Sequence, residues 1–145
     1  MSSVESTTPQ SAPRALEGCG VDHVAIIVRD ATATAENYRE RFGLAVTSDE
    51  VLEHLNVRLV GISTSTIDVQ LVEPTGPGPL QDHLDDKGEG LHHLCFRVHE
   101  LEPVIDALDE DAERIFPGGL GRRTFYLAEK PNGVPIELAE GAPRR

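Results

Sequence analysis

His23-Val-Ala-Ile-Ile-Val28 and His93-Leu-Cys-Phe-Arg-Val98 share one pattern, His-x-x-apolar-x-Val, 70 residues apart in a chain of 145. Both stretches are apolar, rich in strand-forming residues and too short for helices, so each reads as a strand. The first extends back to Val21 and the second to His92. A helical period follows each. Ala35, Tyr38 and Phe42 mark a helix over 34–42 with Gly43 placed as its stop, and Leu101, Val104, Ile105, Leu108 and Ala112 mark an amphipathic helix. Strands are then expected at 44–47, 57–62 and 67–73 in the first half, and at 113–116, 124–127 and 134–138 in the second. Asn132-Gly133 reads as a hairpin turn. The order β-α-β-β-β occurs twice, which is the signature of an internal duplication. The fold expected is α+β: two βαβββ modules, about 20–75 and 88–140, forming an eight-stranded cupped sheet around a cleft.

Pro74-Thr-Gly-Pro-Gly-Pro79 lies between the modules and reads as a loop. Residues 1–17 are rich in Ser, Thr and Pro and nearly devoid of large apolar side chains, so 1–19 is expected to be a disordered tail, with a second short tail at 141–145. The remaining 20–140 has the length of a single domain. Apolar residues make up 39% and charged residues 26%, which suits a packed core. The net charge of −12 at pH 7 argues against a broad grip on nucleic acid or anionic lipid. The longest apolar run, 24–28, is far too short to cross a bilayer. No basic segment followed by an apolar stretch opens the chain, so no secretory signal is expected. Two cysteines, Cys19 and Cys95, are too few for a disulfide framework, and a reduced, cytoplasmic setting is the expectation.

Polar residues interrupt the strands at matching places. His23 sits in the first strand of module one and Gln70 in its last; His93 and Glu137 occupy the corresponding positions of module two. A pseudo-twofold relation between the modules turns all four side chains into the shared cleft. Two imidazoles, an amide oxygen and a carboxylate suit one divalent metal ion such as Co, Mn, Zn, Ni or Fe, with positions left for water or substrate oxygens. Taken singly, each of these residues is more often a hydrogen-bonded core or edge group than a metal ligand; their matching placement in both modules is what favours the metal. Alternation along the strand predicts that His92 faces away from His93 and packs under a helix. His54, His83 and His99 read as solvated, and Cys95 as a small wall residue without an activating partner.

The stretches Val21-Asp-His-Val-Ala-Ile, Val69-Gln-Leu-Val-Glu-Pro-Thr75, Lys87-Gly-Glu-Gly-Leu-His-His93 and Ile136-Glu-Leu138 resemble the vicinal oxygen chelate superfamily, which includes glyoxalases, ring-cleaving dioxygenases and bleomycin-resistance proteins. Within it the chain is most similar to the methylmalonyl-CoA epimerases. The family's metal positions match His23, Gln70, His93 and Glu137. The resemblance implies a metal-dependent epimerase or isomerase that abstracts the α-proton of a 2-substituted acyl thioester, in a homodimer, with Glu137 as one base. Many of these epimerases carry a second glutamate in the third strand; the matching position here is Leu59. Asp68 is the substitute expected, ahead of Glu53 and His54. Arg97, Arg58 and Arg123 are expected to bind the coenzyme A phosphates, together with Arg122 and Lys130. The Leu59 departure equally suits another metal-dependent enzyme of the superfamily acting on a different carbonyl substrate. A metal-free ligand-binding protein is the third reading.

Overall fold

The computed structural model describes residues 15–141, which form eight strands and three α-helices. Module one is β1 (Gly20–Ile27), α1 (Ala31–Phe42), β2 (Val46–Leu52), β3 (Val57–Ser63) and β4 (Asp68–Pro74). After α2 (Pro79–Lys87) comes module two: β5 (Gly90–Val98), α3 (Leu101–Ala107), β6 (Phe116–Pro117), β7 (Arg123–Tyr126) and β8 (Ile136–Glu140). All eight strands join one sheet in the order β2-β3-β4-β1-β5-β8-β7-β6. Each module therefore contributes four adjacent strands. β1 runs parallel to β4 and β5 parallel to β8, while β1 and β5 meet antiparallel at the seam. The antiparallel seam is what a twofold relation between the halves requires, and the α+β duplication expected from the sequence is the observed fold.

Each module buries its helix against the convex side of its own strands. Ala31 and Ala35 of α1 pack with Val28, Val60, Ile62 and Leu71, and Leu101 and Ile105 of α3 pack with Val98, Phe125, Ile136 and Leu138. Each fully buried branched or aromatic side chain contributes roughly 1.5–3 kcal/mol. Leu16 and Cys19 also pack against the second cluster, so the end of the expected tail belongs to the core; residues 1–14 and 142–145 lie outside the described residues. Among the described residues no helix is long and apolar enough to cross a membrane.

Several boundaries depart from the sequence reading for local reasons. The first helix begins at Ala31 because the Asp30 side chain accepts the Ala33 N–H, and it ends at the left-handed Gly43. α2 was expected as neither helix nor strand. Its apolar period is a single pair, Leu80 and Leu84, behind a proline suited to a first turn. β2 runs to Leu52, well past 47, although its outer residues are polar, because it is an edge strand held by β3 alone. The third helix stops at Ala107, and Asp109 adopts a positive φ of 57° directly after it. The expected strand at 113–116 shrinks to Phe116–Pro117. Asn132-Gly133 does turn the chain, but inside a longer connection whose last ladder pair is Tyr126 with Glu137.

Candidate metal centre and its cavity

The four central strands, β4, β1, β5 and β8, carry Gln70, His23, His93 and Glu137 in that order. Ladder partners show how they share the concave face. Gln70, Ala25 and His93 form one row, and Asp68, His23, Cys95, Glu137 and Tyr126 form the next. Ala25 and Cys95, both fully buried, are small residues set between larger ones. The curl of the sheet lets side chains from β1 and β8, with β5 between them, meet above these small residues.

Three of the four expected ligand atoms converge. His23 Nε2 lies 3.3 Å from His93 Nε2 and 3.3 Å from Glu137 Oε1, and His93 Nε2 lies 3.1 Å from the same oxygen. Donors bound at about 2.1 Å to one ion stand about 3.0 Å apart in an octahedron and about 3.4 Å in a tetrahedron. The observed spacings fall inside that interval, so the residues present fit a divalent ion. Gln70 lines the same cavity, with its amide beside Gly119.

The back of each histidine is also held. Asp22 Oδ2 accepts from His23 Nδ1 at 2.8 Å, and Arg122 clamps that carboxylate through Nη1 at 2.8 Å and Nη2 at 2.7 Å. A neutral His23 that gives its Nδ1 proton to Asp22 presents a lone pair on Nε2, which is the tautomer a metal ligand needs. His93 makes the matching contact, with its Nδ1 2.8 Å from Nδ1 of His92. The Tyr126 hydroxyl stands 3.1 Å from His93 Nδ1. Both neighbours occupy β-bulges. The β1–β5 register skips Asp22 on one strand and His92 on the other, so neither follows strict strand alternation. The expectation that His92 faces away is thereby corrected: it lines the cavity and meets His83 of α2 edge-on, with ring centroids 4.8 Å apart. His83, half-buried, lines the cavity as well.

Electrostatics follow from these partners. Burial disfavours a charged His23, but the hydrogen bonds to Asp22 and Glu137 outweigh it and lift its pKa to about 9 in the metal-free protein. Burial likewise opposes ionisation of Glu137, yet the two imidazoles bring its pKa down to about 2. Against the same burial penalty, Arg122 and His23 hold Asp22 well below the usual carboxylate range. Burial, with His93 and His83 beside it, depresses His92 to about 4, so it stays neutral and can accept the His93 proton. Burial pushes the Cys95 thiol far up, which matches the reading of a wall residue.

A cavity of about 600 Å³ opens from this centre. Leu52, Leu55, Val57, Leu59 and Val72 of module one, with Leu80 of α2, make an apolar wall, and Arg114, Arg122 and Lys130 bring cations from module two. The other residues proposed from sequence stand elsewhere. Arg58 forks onto Asp49 and donates to Thr32 of α1 at 2.8 Å, on the helix side of the sheet. Arg97 lies beside Asp22 at 3.9 Å, and Arg123 pairs with Glu102 and Glu140. None of these three lines the cavity. Asp68 accepts from Ser63 Oγ at 3.1 Å and is not part of the cavity wall either. His54 donates to the Pro117 carbonyl at 2.8 Å. Sequence reasoning missed Tyr126 and the support given by Asp22 and Arg122; only the adjacency of Asp22 to His23 was there to signal it.

An ethylmalonyl-CoA/methylmalonyl-CoA epimerase of Cereibacter sphaeroides is 29% identical over 129 residues, covering 83% of this chain and 96% of that protein. The crystal structure of methylmalonyl-CoA epimerase from Mycobacterium tuberculosis superposes with a TM-score of 0.79 at 27% identity, over 86% of this chain and 89% of that one. A Streptomyces coelicolor methylmalonyl-CoA epimerase variant in complex with 2-nitronate-propionyl-CoA gives 0.77 at 29%, over 84% and 96%. The model of the glyoxalase/bleomycin resistance protein/dioxygenase superfamily matches residues 22–126, and the chain belongs to that superfamily.

Proposed function

We propose that this protein is a metal-dependent epimerase that moves the α-proton of a 2-substituted acyl-CoA such as methylmalonyl-CoA. The observation that carries the reading is the meeting of His23 Nε2, His93 Nε2 and Glu137 Oε1 within 3.3 Å of one another in a large, mostly apolar cavity. The similarity to epimerases over most of the chain supports it. His23, His93 and Glu137, with Gln70 beside them, would hold a Co, Mn, Zn, Ni or Fe ion, which supplies Lewis-acid stabilisation of the negative charge that develops on the thioester oxygen. Glu137 remains ionised and serves as proton acceptor at the α-carbon. Asp22 and Arg122 keep His23 in one orientation, and the apolar wall excludes water from the acyl group. Lys130 and Arg114, which line the cavity, would receive the anionic part of the substrate, while Arg122 keeps its guanidinium on Asp22.

Leu59 supports a second reading, an enzyme of the same superfamily acting on another carbonyl substrate with a single base, because its side chain lines the cavity and cannot carry a proton. Proton exchange separates the two. Metal-loaded protein in D₂O is expected to wash deuterium into the α-carbon of methylmalonyl-CoA, followed by NMR. No exchange, with metal retained, rules out the epimerase and leaves the second reading.

A further inference from the structure

We propose that Glu50, on the edge strand β2, is the second proton-transfer group of this site. The inference rests on the epimerase reading, since inversion at carbon needs a proton removed from one face and another delivered to the opposite face. The β2–β3 ladder places Glu50 directly opposite Leu59. Side chains directly opposite in an antiparallel pair stand on the same face, so β2 presents a carboxylate next to the position where β3 has none.

The loop across the cavity fixes where that carboxylate lies. The point a Cβ would occupy on Gly119 is 3.0 Å from Leu59 Cδ1, 3.5 Å from Glu50 Oε2 and 3.7 Å from Gln70 Nε2. Leu59, Gln70, Gly119 and Leu120 line the cavity, and the half-buried Glu50 stands behind that wall, meeting it at Gly119 and Leu120. The bare glycine leaves open the space that Glu50 shares with the candidate ligand Gln70; a side chain there would stand between them. The Leu120 N–H donates to Glu50 Oε2 at 2.6 Å and fixes the orientation of the carboxylate. Among the described residues no Lys, Arg or His forms an ion pair with Glu50, so its charge is not consumed by a neighbour.

The step balances without a redox partner. Glu137 takes the α-proton, and the C–H electron pair moves onto the thioester oxygen. That pair then returns to carbon and takes a proton from the acid form of Glu50 on the other face. The reverse reaction exchanges the two roles, and solvent resets both carboxyls.

The experiment uses E50Q, whose amide oxygen still accepts from Leu120 N–H but cannot shuttle a proton. Metal-loaded wild type and variant are given each purified epimer of methylmalonyl-CoA in D₂O, and exchange is followed by NMR beside metal content and melting temperature. Wild type is expected to exchange both epimers. E50Q is expected to keep exchange from one epimer within a few-fold and to lose it from the other by about 10²–10⁴-fold, together with epimerisation. E50D, which retains a carboxylate, is expected to recover part of that loss. Equal loss from both epimers, or loss from neither, overturns the assignment of Glu50, since a loop-anchoring role alone would affect both alike. Wild type inert toward both epimers overturns the epimerase reading itself.

Discussion

Metal loading at pH 7.5 is expected to release close to one proton, and His23 is its source. In the metal-free protein this imidazole sits between Asp22 Oδ2 at 2.8 Å and Glu137 Oε1 at 3.3 Å, and its pKa of about 9 keeps it almost wholly protonated at that pH. Glu137, with its pKa down at about 2, is already ionised and contributes none. A metal ion needs the lone pair on His23 Nε2, so binding must displace the proton. Affinity should therefore rise about tenfold per pH unit between pH 7 and 9. Calorimetric titration with Mn²⁺ in buffers of differing ionisation enthalpy reads the released proton directly. The same shift has a stability consequence whose sign is fixed. A pKa raised in the folded state stabilises the metal-free protein fully below pH 6.5, and that contribution, about 3 kcal/mol, is lost as pH rises through 9. Proton release near zero at pH 7.5, with affinity and metal-free stability both flat from pH 7 to 9, would refute the argument.

Replacing His93 with Ala removes one of three mutually converging atoms, and elemental analysis should find metal well below one equivalent; His92→Ala, which only loses the contact behind His93, should retain metal with affinity weakened on the order of tenfold. Gly118→Ala would set a Cβ 2.6 Å from Oγ1 and 2.8 Å from Cγ2 of the buried Thr124, so a thermal melt should show a loss of about 1–3 kcal/mol, and an unchanged melting temperature would contradict the packing described for that loop.

The parts of the fold that were legible in the sequence are those where burial imposes a pattern. β1 and β5 are central strands, and their apolar runs after His23 and His93 could be read directly. β2 and α2 were misjudged or missed because both lie at the margin. One is an edge strand with polar outward residues, and the other has only two leucines to bury. Of the candidate site, the convergence of His23, His93 and Glu137 was legible because duplication put polar residues at matching strand positions. Arg122 and Lys130 were named and do line the cavity, but Arg58, Arg97 and Arg123 do not, since a guanidinium on a strand can turn to either face and find a carboxylate locally, as Arg58 does with Asp49 and Arg123 with Glu102.

What the sequence determined by itself is the duplicated βαβββ plan and the four polar positions within it, because strand and helix periods and their repetition are local properties of the chain. Which side chains keep company in the cleft depends instead on how the whole sheet packs. Two bulges turn Asp22 and His92 out of strand alternation and set each behind a histidine. The β2–β3 register places Glu50 opposite Leu59, and a loop near the far end of the chain sets Gly119 beside both. Register, bulge and loop placement are settled by the packing of the whole sheet, where distant residues meet, and no local period encodes them.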